Sequence, residues 1–372
     1  MKATPDPLLI ALLRGEGADD ADATDWRRAA AAARLEALEP WLLRHIAGNR
    51  TMAPDDVRER VRQAAVRLTA RALALAAELR GILRALGAAG IACAPLRGLA
   101  LAERLYGDAC ARPAGDIDLL VRRADLDAVE ATLSTLGFRA VDRHAGFARE
   151  FSYTLEMARD AHGGIVVEPH WTLAYPPFVD AVDMARVWTR CRAEHVIGEP
   201  ALLLAPEAML LNLCLHLVHK APDIPLLWVL DIDRLVRQQS DTIDWDELIG
   251  LARGARLERQ LAAGLHCAAG LLHTPLPPAV MRALDTAPGS LDRLLGADSG
   301  VDGREGLALL FALRGVRRRA RYAVRLLFPS PGFMALEYGV SGRGALALAY
   351  GRRARHMVWE GLKGTTRLLR HI

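Results

Sequence analysis

The chain has 372 residues, 52% of them apolar and 25% charged, with a net charge of +4, a usage that excludes a disordered polymer and leaves room for two or three packed units. Five scattered cysteines with no CxxC or other metal-ligand spacing exclude a disulfide framework and point to free thiols in a reducing cytoplasm. The N-terminus lacks the cationic start and small-residue cleavage site of a signal peptide, and no uncharged apolar stretch reaches the length of about 18 residues that a membrane helix needs, so the reading is a cytoplasmic protein.

Apolar residues at helical spacing over Thr24 to Ile46 and Pro54 to Leu86 predict two N-terminal helices. The second opens on Pro54, Asp55 and Asp56, where acids meet the positive end of the helix dipole, and it stops at Gly87 and Gly90. The pattern then changes. Ile91 to Leu96 predicts a strand, Leu99 to Tyr106 a helix, Asp116 to Val121 a strand and Ala124 to Leu136 a helix. Alternation from Phe151 to Met157, a turn over Asp160 to Gly164 and the run from Ile165 to Trp171 predict a β-hairpin. After Pro206 the spacing is helical almost to the end; the apolar stretch from Ala201 to Val218 carries Pro206, Glu207, Asn212 and His216 and reads as a buried helix. The expected fold is therefore α+β, a small mixed unit over residues 87–198 between helical regions at 1–86 and 199–372.

Asp116-Ile117-Asp118 starts the second strand, and a period of two puts both carboxylates on one face while Ile117 and Leu119 point to the other. Paired carboxylates suit Mg²⁺, which completes its shell with water and substrate phosphates. Taken alone, such a pair is more often a solvated strand end. Three neighbours change that weighting. Arg97-Gly98 joins a strand to a helix, a turn whose amides and dipole can hold phosphate. Arg112, four residues before Asp116, can meet phosphate or pair with the acids. Glu168 ends the run Ile165 to Val167 and can add a third carboxylate, with Glu156 on the facing hairpin strand as its rival.

The stretch LRGLALAERLYGDACARPAGDIDLLVRRADLDAVEATLSTLGF and the later IVVEPHW resemble a bacterial family of uncharacterised nucleotidyltransferases within the DNA polymerase β-like superfamily, with weaker similarity in LNLCLHLVHKAPDIPLLWVLDIDRL. The resemblance implies a polymerase β-like core and a magnesium-dependent transfer of a nucleoside monophosphate from an NTP such as ATP to a hydroxyl-bearing acceptor, in a biosynthetic or tailoring pathway. It also implies Gly98 beneath the triphosphate, Asp116 and Asp118 binding two Mg²⁺, and Glu168 binding one metal and helping to deprotonate the acceptor. This chain departs from the family's usual Lys-Gly with Arg97-Gly98, and Pro169 stands within Glu168-Pro169-His170-Trp171. A non-catalytic, nucleotide-sensing or partner-docking relative is the alternative.

Other residues read more blandly. His216 and His219 have no acidic partner at helical spacing that would make a zinc site. Lys220 beside them can reach a triphosphate. Asp231 and Asp233 lie on a helix and diverge by about 200°, so they cannot chelate one ion and read as solvated or interface residues. His144 is a loop residue that can contact acceptor or nucleotide. From Leu313 to the end thirteen Lys and Arg face two acids; this reads as a solvated basic face, with an anionic partner or membrane surface next and sequence-specific nucleic acid last, because aromatic interleaving is sparse.

Overall fold

A computed structural model of the chain describes residues 5–48, 53–141, 146–160, 164–221, 224–284, 309–313 and 315–369. His144 lies outside them. Four helices precede the first strand: α1 (Pro7–Arg14), α2 (Ala23–Leu35), α3 (Glu39–Gly48) and α4 (Asp55–Ala88). The two-helix expectation fails at two places for local reasons. Asp6 caps α1 by accepting the Leu9 amide at 3.0 Å, Pro7 opens the helix, and Gly15 closes it in the left-handed region at φ +79°. The run from Thr24 to Ile46 breaks where Ala37 adopts φ +55° ahead of Pro40, which separates α2 from α3.

The chain continues through β1 (Cys93–Pro95), α5 (Gly98–Tyr106), β2 (Ile117–Val121), a 3-10 turn over Arg123–Asp125, α6 (Leu126–Thr135), β3 (Arg139–Ala140), α7 (Phe147–Phe151), β4 (Met157–Arg159) and β5 (Ile165–His170). The sheet order is β1-β2-β5-β4-β3, with β2 and β5 parallel and the other pairs antiparallel, the small mixed sheet that was expected. The hairpin is narrower than its alternation suggests. Phe151 is not in a strand but ends α7, where Phe147 and Phe151 pack at a tilt with centroids 5.1 Å apart and Phe151 meets the edge of Tyr322 at 5.0 Å. Aromatic burial overrides the period-two pattern there.

After α8 (Met184–Thr189) and the hairpin β6 (Arg192–Val196) and β7 (Glu199–Leu203) come α9 (Pro206–His219), α10 (Leu226–Gln239), α11 (Trp245–Ala255), α12 (Glu258–Leu272) and α13 (Pro278–Leu284). Helix α9 is buried from Pro206 through Leu215 and packs on α10, α11 and α12, as the all-round apolar stretch requires. No described helix is long and apolar enough to cross a membrane.

Two compact units emerge. The first comprises Met1–Ala140, Glu156–Trp171 and Asp183–Asp285, and the second Val141–Leu155, Thr172–Val182 and Thr286–Ile372. In the second, Phe151, Val179, Leu309, Leu313 and Tyr322 form the buried cluster beside helices Val316–Leu327, Pro331–Tyr338 and Arg343–Leu369. Several of its described arginines are engaged within it: Arg318 pairs with Asp180, Arg321 reaches Glu150 at 3.0 Å, and Arg319 donates to the carbonyls of Leu313 and Phe311.

The approach of α12 to α9 fixes the placement of α9. A Cβ on Gly264 would lie 2.6 Å from Cys214 Cβ and 2.9 Å from its Cα, so only glycine fits. Gly264→Ala is expected to destabilise the protein by about 1–3 kcal/mol, as overpacking does. Chemical denaturation would reveal this as a lowered midpoint at unchanged slope; an unchanged midpoint would contradict the packing described.

Candidate active site

Register brings the first two carboxylates together. β2 and β5 run parallel with Asp118 directly opposite Glu168, and paired strands lie about 4.8 Å apart. Two residues beyond Glu168, and so on the same face, His170 places Nε2 2.9 Å from Asp118 Oδ1 and 3.4 Å from Glu168 Oε2. Asp116 stands just before β2 rather than within it. The buried residues Ile117, Leu119 and Val167 anchor the two strands on the face opposite the acids. Glu156, the rival third acid, lies outside β4 and is exposed.

The basic side of the site comes from the turn into α5. Arg97 is 7% exposed; its Nη2 and Nε lie 2.9 and 3.1 Å from Asp118 Oδ2, and its Nη1 donates to Oδ1 of buried Asn212 on α9 at 3.2 Å. Gly98 follows at φ +57°, and a Cβ there would meet Ala114 at 3.4 Å and the Asp116 carbonyl at 3.7 Å. Glycine thus lets the first turn of α5 lie against the segment that carries Asp116. No side chain caps this helix start, which leaves its amides able to face an anion.

Arg112 lies elsewhere. Its Nε and Nη2 pair with Asp231 at 2.8 and 2.7 Å, both residues being buried, and Tyr106 donates its hydroxyl to the same carboxylate at 2.9 Å. Asp231 is therefore an internal counterion and not a solvated residue. Asp233 points away from it, as helical geometry requires, and is likewise buried, bonded to Arg237 and Thr274. Lys220 is exposed at the C-terminal end of α9. One turn earlier, His216 packs on Trp228 with ring centroids 3.7 Å apart.

Charge in the cluster is unevenly shared. Burial alone would raise the Asp118 pKa, but the Arg97 charge and the His170 hydrogen bond outweigh it and hold Asp118 below the usual carboxylate range. Asp116 has no such partner, so burial, followed by the charges of Asp118 and Glu168, pushes its pKa up to about 6. Burial lowers the His170 pKa, yet its bonds to Asp118 and Glu168 prevail and raise it. Burial and then the Arg97 charge push His216 well below the usual histidine range.

Among the described residues, the His, Cys, Asp and Glu side chains whose ligand atoms converge are Asp118, Glu168 and His170, within 4.8 Å of one another. Oxygen donors with one imidazole suit a divalent cation, and the adjacent Asp116 adds carboxylate charge. His216 and His219 are not part of this group. Three contributors were not singled out in the sequence. His170 follows Glu168 at the strand period, and Asn212 is a polar residue inside an apolar run; both carried a usable signal. Arg71 on α4 donates to the Gly164 carbonyl at 2.6 Å and the Gly115 carbonyl at 3.4 Å, tying together the turns that precede β5 and β2, and no local pattern pointed to it.

The profile of a family described as uncharacterised nucleotidyltransferase matches residues 22–273. The chain belongs to that family, and it is an enzyme of nucleotidyl transfer. Curated proteins provide no match. Two solved structures of the antibiotic-resistance factor ANT(2'')-Ia are similar at 18% identity and a TM-score of 0.36. One is a solution structure reported to reveal substrate-regulated conformation dynamics, covering 54% of this chain and 96% of that one. The other is a crystal structure with adenylyl-2''-tobramycin, covering 49% and 97%. So loose a superposition transfers no residue role.

The pKa of Asp116, pushed up to about 6 from the ordinary aspartate value by burial and its acidic neighbours, means that the folded metal-free nucleotidyltransferase binds this proton more tightly than the unfolded chain. Stability from that proton is complete below the unfolded pKa and is lost as pH rises through 6. Asp116→Asn should then be more stable than the parent above this window, by on the order of 1–3 kcal/mol, with the gain vanishing at the acidic end. Urea unfolding of both proteins with chelator across this range checks it; a gain that persists below the unfolded pKa would contradict the assignment.

Proposed function

We propose that the protein transfers a nucleoside monophosphate from an NTP, ATP among them, to a hydroxyl-bearing acceptor in a biosynthetic or tailoring pathway, with Mg²⁺ at Asp116, Asp118 and Glu168. The observation that carries this reading is the Asp118–Glu168 pair across parallel strands beside the Gly98 turn. A pair of divalent cations held there would neutralise charge developing on the phosphates and the leaving pyrophosphate.

The chain's own groups have distinct tasks in this reading. Amides at the start of α5, opened by Gly98, face the triphosphate, and Arg97 adds cationic charge beside it. Lys220 approaches the phosphates from the end of α9. Arg112, engaged by Asp231, holds the segment leading to Asp116 in place. Glu168 takes the acceptor hydroxyl proton as the acceptor oxygen attacks the α-phosphorus in line, while the bond to the pyrophosphate oxygen breaks. We assign residues 87–198 as the catalytic core, with 1–86 and 199–372 as its helical flanks. Free cysteines support a reducing cytoplasm. The basic helices toward the C-terminus offer an anionic partner or membrane surface only the arginines not already engaged internally.

Incubation with each α-labelled NTP, Mg²⁺ and a panel of hydroxyl acceptors tests the reading. Label should move to an acceptor with equimolar pyrophosphate released. Asp118→Asn and Glu168→Gln should each lower the rate at least a hundredfold, consistent with a metal or charge-stabilising group removed from a phosphoryl-transfer site. Nucleotide binding that is independent of metal and unchanged in both variants would contradict catalysis here and leave a nucleotide-sensing relative. Arg97→Lys should retain more activity than Arg97→Met, since charge rather than the planar fork serves the phosphates; equal losses would mean that the bidentate geometry is required.

A further inference from the structure

A second cavity, of about 880 Å³, lies between α1, α3, α5 and α10 and contains none of the residues assigned to catalysis. Four arginines line it: Arg14, Arg44, Arg234 and Arg237. Three are matched. Arg14 lies 3.7 Å from Glu16 and donates to the Leu271 carbonyl, Arg44 pairs with Asp108, and Arg237 is 2.8 Å from Asp233 and also donates to the carbonyls of Leu272 and His273.

Arg234 is different. Its guanidinium lies over the Tyr106 ring, 4.8 Å from the centroid, its Nε is buried without an acceptor, and no carboxylate among the described residues pairs with it. The side chain as a whole is half-buried, so its remaining donors reach the cavity while the unsatisfied Nε adds a cost that a bound anion beside the guanidinium would offset electrostatically. Asp19, the remaining acid of the lining, is exposed and pairs with no cation among the described residues. The lining also includes Trp41, on which His45 stacks at 5.2 Å, so aromatic surface accompanies the guanidinium. Tyr106, beneath Arg234, also donates to the carboxylate that holds Arg112, so the cavity adjoins the network anchoring the segment that leads to Asp116.

We propose that this cavity is a second anion site, which binds a phosphate group through Arg234 with help from Arg44. The phosphate is free or is carried as an ester by a small molecule whose ring packs on Trp41. Guanidinium matches phosphate through paired donors, and a partly desolvated pocket strengthens each of them. The site does not depend on the reaction assigned to the Asp118 cluster.

Calorimetric titration of the full chain with inorganic phosphate and with phenyl phosphate, in chelator and without nucleotide, tests it. Saturable binding is expected for phenyl phosphate. Arg234→Met keeps the apolar stem over Tyr106 and should bind roughly tenfold or more weakly, as when a charged hydrogen-bonding partner is removed. Arg44→Ala, a change at an exposed residue, should weaken binding by about threefold. Phenyl phosphate binding more tightly than phosphate identifies a ring-bearing ester as the ligand; equal affinities identify phosphate itself. No saturable binding, or parental affinity in folded Arg234→Met, overturns the proposal. Should Arg234→Met fail to fold, unchanged affinity in Arg44→Ala overturns it.

Discussion

A buried carboxylate must be matched by positive charge, and Asp118 receives it from Arg97 on one oxygen and His170 on the other. A lone buried charge costs several kcal/mol, so the elements that supply these partners are constrained together. Arg97 requires the β1-to-α5 turn to bring its guanidinium across to β2. His170 requires β5 to run parallel to β2 in one register. Asn212 requires α9 to lie near enough to accept the third branch of the guanidinium, and the absence of a side chain at Gly264 permits that placement. A single ion cluster therefore ties the sheet to the helices that follow it.

The same cluster explains why the two aspartates behave differently. Asp118 is held ionised by its neighbours, whereas Asp116, two residues away, has burial and two other carboxylates against it. Like charges gathered in a partly desolvated space are unfavourable until a cation joins them. Here that cation is already half supplied by the protein. Arg97 pairs with the carboxylate that the proposed reading gives to a metal, so metal and nucleotide entering the site would compete with, or redirect, the guanidinium toward phosphate. A shorter, point-charge lysine would do this differently, so the identity of the cation at position 97 carries electrostatic consequence for the whole cluster.

Much of this was legible because local rules carry it. The Arg97-Gly98 turn, the carboxylate pair and the Glu168 strand all follow from glycine punctuation and a period of two. What the sequence concealed was pairing. Nothing local shows that Asp118 faces Glu168 rather than another strand residue, nor that Arg112, four residues from Asp116, turns away to Asp231 across more than one hundred residues of chain. Asp231 and Asp233 read as solvated or interface residues because acids usually are; their burial follows from arginine partners brought near by tertiary packing. The strand misread at Phe151 failed similarly, since its alternating aromatics serve the cluster with Tyr322 and not a sheet. Arg71, which bonds the turns before β2 and β5 from a long helix, has no signature short of the fold itself.

The central claim is that Asp116, Asp118 and Glu168 together bind the metal for nucleotidyl transfer. Anomalous diffraction from crystals grown with Mn²⁺ and a non-hydrolysable NTP tests it most directly. The account predicts Mn²⁺ density within about 2.3 Å of Asp118 and Glu168 oxygens, with Arg97 moved from Asp118 toward the phosphates. Nucleotide bound with Arg97 still paired to Asp118 and no Mn²⁺ at these carboxylates would contradict it.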